Sequence, residues 1–177
     1  MIDFPVSVDY TQTMTEDNVK IVADYLLGQT EYEMATTRRV LAAVATETAS
    51  YKPSEKCMSG LELAGHIAAA EVFFLSGVVN GKFEWAPPEF KTPADALAYY
   101  EQKVPGLIAD ARALPGAKLA ETLGMGPMSM PGVDFLALNL KHSVHHRGQL
   151  SAYLRPMGSK VPNIYGPSAD SEKQATA

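Results

Sequence analysis

The chain has 177 residues, of which 46% are hydrophobic and 20% charged, with a net charge of −5 and a single cysteine, Cys57. That is the balance of a globular protein with chain enough for a sizeable core, and the acidic charge, with no basic run, excludes a general nucleic-acid binder. One cysteine excludes an internal disulfide framework and a multi-cysteine zinc site, the start Met1-Ile2-Asp3-Phe4-Pro5 lacks the pattern of a signal peptide, and no run approaches the roughly 18 apolar residues of a membrane span. The expectation is one cytoplasmic domain over residues 1–177, with 1–15 an N-terminal extension and 169–177 a frayed tail.

Helical patterns carry most of the chain. The first helix is predicted to start after Thr15, with Glu16 and Asp17 at its positive end, and to run to about Thr46, broken at Gly28. Its seam is Leu27, Thr30, Met34, Thr37, Leu41 and Val44, at alternating spacings of three and four. Ser59-Gly60-Leu61-Glu62 is a capping box that opens the second helix, which stops at Asn80-Gly81. Residues 82–91 contain Trp85, Pro87 and Pro88 and read as a loop. Thr92 caps the third helix, with Pro93 in its first turn; it runs to about Leu114, and Pro105 should kink or shorten it. Residues 115–130 are rich in Gly, Pro and Met and read as a long connection with at most a short extended piece; no hairpin signal is evident. The fourth helix is predicted from near Pro131 to near Arg155. The fold class is therefore all-α, a four-helix bundle with long connections after helices two and three.

The four histidines are unevenly placed: His66 lies in helix two, and His142, His145 and His146 crowd into residues 141–150. The spacing of four stacks His142 and His146 on one helix face, about one turn apart. On a helical wheel Phe135, Leu138, His142, His146, Gln149 and Tyr153 form one narrow stripe, the stripe a bundle core would use. His145 falls about 80° to its edge. His66 shares an inward face with Leu63, Ala70, Phe73 and Gly77. Two imidazoles from one helix and a third from another make a three-nitrogen divalent-metal site with open positions, the arrangement of a catalytic metal. Metal ligands are thus predicted at His66, His142 and His146. The competing view is that each histidine is a hydrogen-bonded core residue, since an unpaired imidazole in an apolar setting is costly.

Other chemistries fail on spacing. A zincin needs a glutamate directly after its first histidine, whereas Ser143 follows His142. A di-iron bundle needs two Glu-x-x-His pairs, and no phosphate loop or dinucleotide fingerprint occurs. Neutral imidazoles suit zinc, nickel or another first-row ion. Supporting roles fall to Gln149, one turn after His146; to His145 at the rim; and to Arg147, which points about 100° away and suits an interhelical salt bridge or an anionic cofactor. Asn139 is placed to support His142, and Thr30 and Thr37 either line a pocket or bond their own backbone.

The stretches Glu62-Leu63-Ala64-Gly65-His66-Ile67, His142-Ser143-Val144-His145-His146-Arg147-Gly148-Gln149-Leu150 and Leu154-Arg155-Pro156-Met157-Gly158-Ser159-Lys160-Val161-Pro162 resemble the DinB-like superfamily over roughly residues 20–165. This is the damage-inducible, metal-binding four-helix-bundle superfamily that includes bacillithiol transferases and mycothiol-dependent maleylpyruvate isomerases. The resemblance implies a divalent ion on the histidines matching His66, His142 and His146, frequent homodimers, and a small-molecule substrate. It implies thiol transfer to a small electrophile, with a low-molecular-weight thiol as co-substrate, or metal-dependent hydrolysis. A non-catalytic metal- or small-molecule-binding bundle is the remaining alternative.

Overall fold

The computed structural model of the chain describes residues 14–171. Four long helices, α1 (Glu16–Ala42), α2 (Gly60–Asn80), α3 (Pro93–Ala113) and α5 (Gly132–Leu154), form an all-α bundle. A short helix, α4 (Gly116–Ala120), and a hairpin of β1 (Thr122–Met125) and β2 (Met128–Pro131) connect α3 to α5. Both α1 and α2 pack against α3 and α5. The ring order is therefore α1-α3-α2-α5, so the α1–α2 connection, with its 3₁₀ turn Thr46–Thr48, crosses the bundle end diagonally. The α4 helix closes against α1, where the Gly116 backbone lies so near the Glu16 carbonyl that a Cβ would sit 2.0 Å from its oxygen.

The local rules that start helices hold here. Thr15 accepts from the Asn18 amide, Ser59 and Glu62 close both halves of the capping box, and Thr92 and Asp95 form a second box before α3. Gly81, at φ 71°, ends α2 in the left-handed conformation. All six predicted seam residues are buried, the last of them, Val44, just past the end of α1. Their packing carries the helix unbroken past Gly28, whose helix penalty is only about 1 kcal/mol. The helix stops at Ala42, short of the expected Thr46. Likewise α3 continues through Pro105, which lies on the solvent face, where the carbonyl it leaves unbonded can face water.

Three expectations need correction. Residues 122–131 form a hairpin, in which Gly126 takes φ 58° at the first turn position and Leu123 pairs with Met130. The tail is fixed beyond Ser168: the Asp170 carboxylate accepts from Arg155 Nε and the Val161 amide, both at 2.9 Å. The expected extension and fraying at 1–13 and 172–177 lie outside the described residues. Finally, α2 is long and apolar enough to cross a membrane, but 67% of that stretch is buried as a wall of the bundle core.

Candidate metal centre

The stripe predicted as the core face of α5 is core only at its ends, Phe135 and Tyr153. Its middle, His142, His146 and Gln149, is half-buried. The fully buried stripe runs through Leu136, Asn139, Ser143, Arg147, Leu150 and Leu154, roughly 90° away. The histidines thus stand at the rim between α5 and α2 with access to solvent, and His66 reaches them from α2, also half-buried.

The three side chains converge. One ring nitrogen each from His66, His142 and His146 all lie within 4.8 Å of one another, and His66 Nε2 stands 3.1 Å from His142 Nε2. Ring centroids of the three pairs are 4.3 to 4.9 Å apart. Tetrahedral ligation with metal–nitrogen distances of about 2.0–2.1 Å places ligand nitrogens about 3.4 Å apart, so the cluster fits a divalent ion with little adjustment. Gln149 fixes one member: its Oε1 stands 3.0 Å from His146 Nδ1 and accepts that proton, leaving Nε2 with its lone pair free. Gln149 Nε2 in turn donates to Tyr153 Oη at 3.3 Å.

Charge is disfavoured at this point. Burial pushes the His142 pKa down to about 4, and the neighbouring imidazoles of His146, His66 and His145 push the same way. Burial and then His146 lower His66; burial lowers His146 against the opposing Gln149 hydrogen bond. All three are neutral at pH 7, the form that ligates a metal.

The other predicted residues separate. His145 is exposed and outside the convergent group, its ring centroid 4.8 Å from that of His146 in an edge-on arrangement. Arg147 turns into the core, away from the cluster. Its Nη1 donates to Glu33 Oε2, its Nη2 donates to Tyr165 Oη, and Thr37 Oγ1 lies 3.3 Å from Nη1. This is the interhelical salt bridge, and it leaves the guanidinium no role toward an anionic cofactor at the rim. Thr30 bonds the Leu26 carbonyl at 3.0 Å. Asn139 is buried with neither side-chain atom hydrogen-bonded among the described residues, so it does not hold His142. Cys57 lies 3.3 Å from Ser54 Oγ, whose hydrogen bond is the main influence lowering the thiol pKa, with Tyr153 a lesser one.

Sequence reasoning missed Glu71. It is wholly buried on α2, accepts from Ser143 Oγ at 2.7 Å and Tyr100 Oη at 3.1 Å, and is raised by burial to about pKa 7. The signal available was a lone glutamate in the apolar run of α2. The Trp85 ring centroid stands 6.2 Å from that of His66 and 5.4 Å from that of Phe73, yet Trp85 is 54% exposed.

This bundle with a histidine rim matches a known family. The family model described as "DinB family" matches residues 16–176. The chain belongs to the DinB family. Among its DinB relatives, the uncharacterized protein YjoA of Bacillus subtilis is 29% identical over 127 residues, covering 69% of this chain and 82% of the relative. The uncharacterized protein YrdA of the same organism is 23% identical over 151 residues, covering 83% and 90%. A crystal structure of a DinB-like protein from Bacillus cereus superposes with a TM-score of 0.67 at 24% identity, covering 79% of this chain and 95% of that one. The crystal structure of YjoA gives 0.62 at 22% identity, covering 81% and 95%. At these identities the two structures establish the fold alone.

Proposed function

We propose that this chain is a metal-dependent enzyme that holds a divalent ion, zinc or nickel, on His66, His142 and His146 and transfers a low-molecular-weight thiol to a small electrophile. The observation that carries it is the convergence of three neutral ring nitrogens at a half-open rim. A bound divalent ion would supply Lewis acidity, lowering the pKa of a thiol or water so that a nucleophile exists near neutral pH. His66 brings α2 to the site, His142 and His146 hold it on α5, and Gln149 sets the His146 tautomer.

The carboxylates favour a thiol over water as nucleophile. Glu71 is sealed beneath Ser143 and Tyr100, and Glu62 is committed to the α2 cap and to Lys52. Among the described residues no carboxylate joins the histidine cluster as a general base. A thiol ionises near pH 8.5 and needs less help than water.

Metal content of tag-free protein, loaded separately with zinc and nickel, tests the site. The expected result is about one ion per chain, lost in His142→Ala and kept in His145→Ala. Gln149→Ala should weaken affinity by about 10- to 100-fold, as loss of a partner that orients a ligand does. Turnover of 1-chloro-2,4-dinitrobenzene that requires both zinc and an added thiol supports the transferase. Thiol-independent hydrolysis of p-nitrophenyl acetate would replace it with the hydrolase. Neither activity in metal-loaded protein would leave a binding bundle.

A further inference from the structure

The loop over residues 82–91 is strapped to α2 at two glycines. A Cβ at Gly77 would meet the Phe83 ring at 2.1 Å, and one at Gly65 would meet the Phe90 ring at 2.7 Å. Both rings therefore occupy space that a Cβ on the helix would take. The two straps are twelve residues apart, about 18 Å along the helix. Between them the loop arches over α2, carrying Trp85, Pro87 and Pro88. At the Gly65 end of this loop, against the first turns of α2, is a cleft of about 350 Å³. Leu61, Ala69, Trp85, Pro87, Pro88 and Phe90 line it, and His66 shares its wall.

The lining selects chemistry. An indole, a phenyl ring and two proline rings offer flat apolar faces, which favour a planar ring by stacking and edge contacts. Besides His66, the polar side chain on the wall is Glu62. Hydrogen bonds from the Ser59 amide and from Lys52 hold its carboxyl well below the usual range, so it is an anion at neutral pH and repels one. The volume suits one ring with a small substituent.

We infer that this cleft binds the uncharged aromatic ring of the substrate, with the substituent directed toward His66. The inference rests on the metal-centre reading of the three histidines for its catalytic meaning, but the cleft itself is built without them except for His66.

Trp85 is the only tryptophan in the chain. In ¹⁵N-labelled protein it gives a single indole N–H resonance that reports on the cleft directly. Metal-free full-length protein would be titrated with benzamide, cyclohexanecarboxamide and benzoate. Benzamide should shift the Trp85 resonance saturably and bind about tenfold tighter than either other probe. Ala69→Phe fills the cleft and should weaken benzamide by at least about tenfold while keeping zinc content per chain unchanged. Should that variant fail to fold, Gly65→Ala displaces Phe90 from the wall and should weaken benzamide in the same sense. The inference is overturned by the absence of a saturable shift, by equal binding of the three probes, or by unchanged benzamide binding in a folded variant. Benzamide binding without zinc binding would sink the metal-centre reading and spare the cleft. Zinc binding without benzamide binding would do the reverse.

Discussion

Helix α5 presents two polar faces built from adjacent residues, and they are opposite in kind. His142 and His146 face the rim; Ser143 and Arg147, each one residue further on, face the core. On the core side every group named has a protein partner: Arg147 meets Glu33, Thr37 and Tyr165, and Ser143 meets Glu71. On the rim side the ring nitrogens point at one another, and no carboxylate joins the cluster among the described residues. A buried polar face that is internally satisfied needs nothing further and serves the fold. A convergent face of neutral imidazoles at a half-open rim is the one the proposed metal would complete. A closed network and an open cluster thus lie side by side on a single helix.

The strongest way to break this contrast is to open the closed side. Arg147→Met strands the Glu33 carboxylate, which is 12% exposed, without its cation. Removing one partner of a buried pair costs about 3–5 kcal/mol. Urea unfolding of metal-free protein should show that loss, while zinc per folded chain stays at the wild-type value. A stability change under about 1 kcal/mol would mean that water reaches the pair and that the two faces are not distinct in kind.

The two faces also titrate in opposite senses. Burial raises Glu71 from 4.5 to about 7, so between those values the folded chain keeps a proton that the unfolded chain releases. Its contribution to stability is full below pH 4.5 and is lost as pH rises to 7, with a slope of at most about 1.4 kcal/mol per pH unit. His142, lowered from 6.5 to about 4, runs the other way. Its contribution is present above pH 6.5 and is lost as pH falls toward 4. In metal-free wild type the two slopes oppose each other over nearly the same window. Measured by denaturant unfolding between pH 4.5 and 7, the stability of Glu71→Gln relative to wild type should rise with pH. That of His142→Ala, relative to wild type, should fall with pH. Parallel profiles for both variants would show that the two faces do not titrate as distinct units.

Much of this arrangement was legible from local rules. The α1 seam and the Ser59 and Thr92 caps follow from spacing and cap chemistry within a few residues. What the wheel got wrong was which face of α5 is the core. Ser143 carries no core signal, and Arg147, though expected in an interhelical salt bridge, gives no sign of full burial; both become core residues through Glu71 and Glu33, 72 and 114 positions away. The hairpin escaped for a different reason. Its four-residue strands are built from Met, Gly, Ser, Leu, Thr and Pro, and few of these have the β-branched or aromatic character that marks a strand. The arch over α2 is likewise a matter of two glycines meeting two phenylalanines, which no periodicity encodes.

Asn139 is where the contrast between the faces is least complete. It lies on the buried stripe between Leu136 and Ser143, 1% exposed, yet its amide oxygen and nitrogen have no hydrogen-bond partner among the described residues. Leaving such a group unsatisfied costs about 1–3 kcal/mol, and an apolar residue of similar size removes that cost. Asn139→Leu should therefore stabilise the metal-free protein by about 1 kcal/mol in urea unfolding. Asn139→Ala should not, because it exchanges a polar penalty for a cavity. A clear loss of stability in Asn139→Leu would mean that the amide is satisfied from outside the chain. The boundary between the open face and the closed one would then run along the buried stripe itself, one turn before His142, rather than between His142 and Ser143.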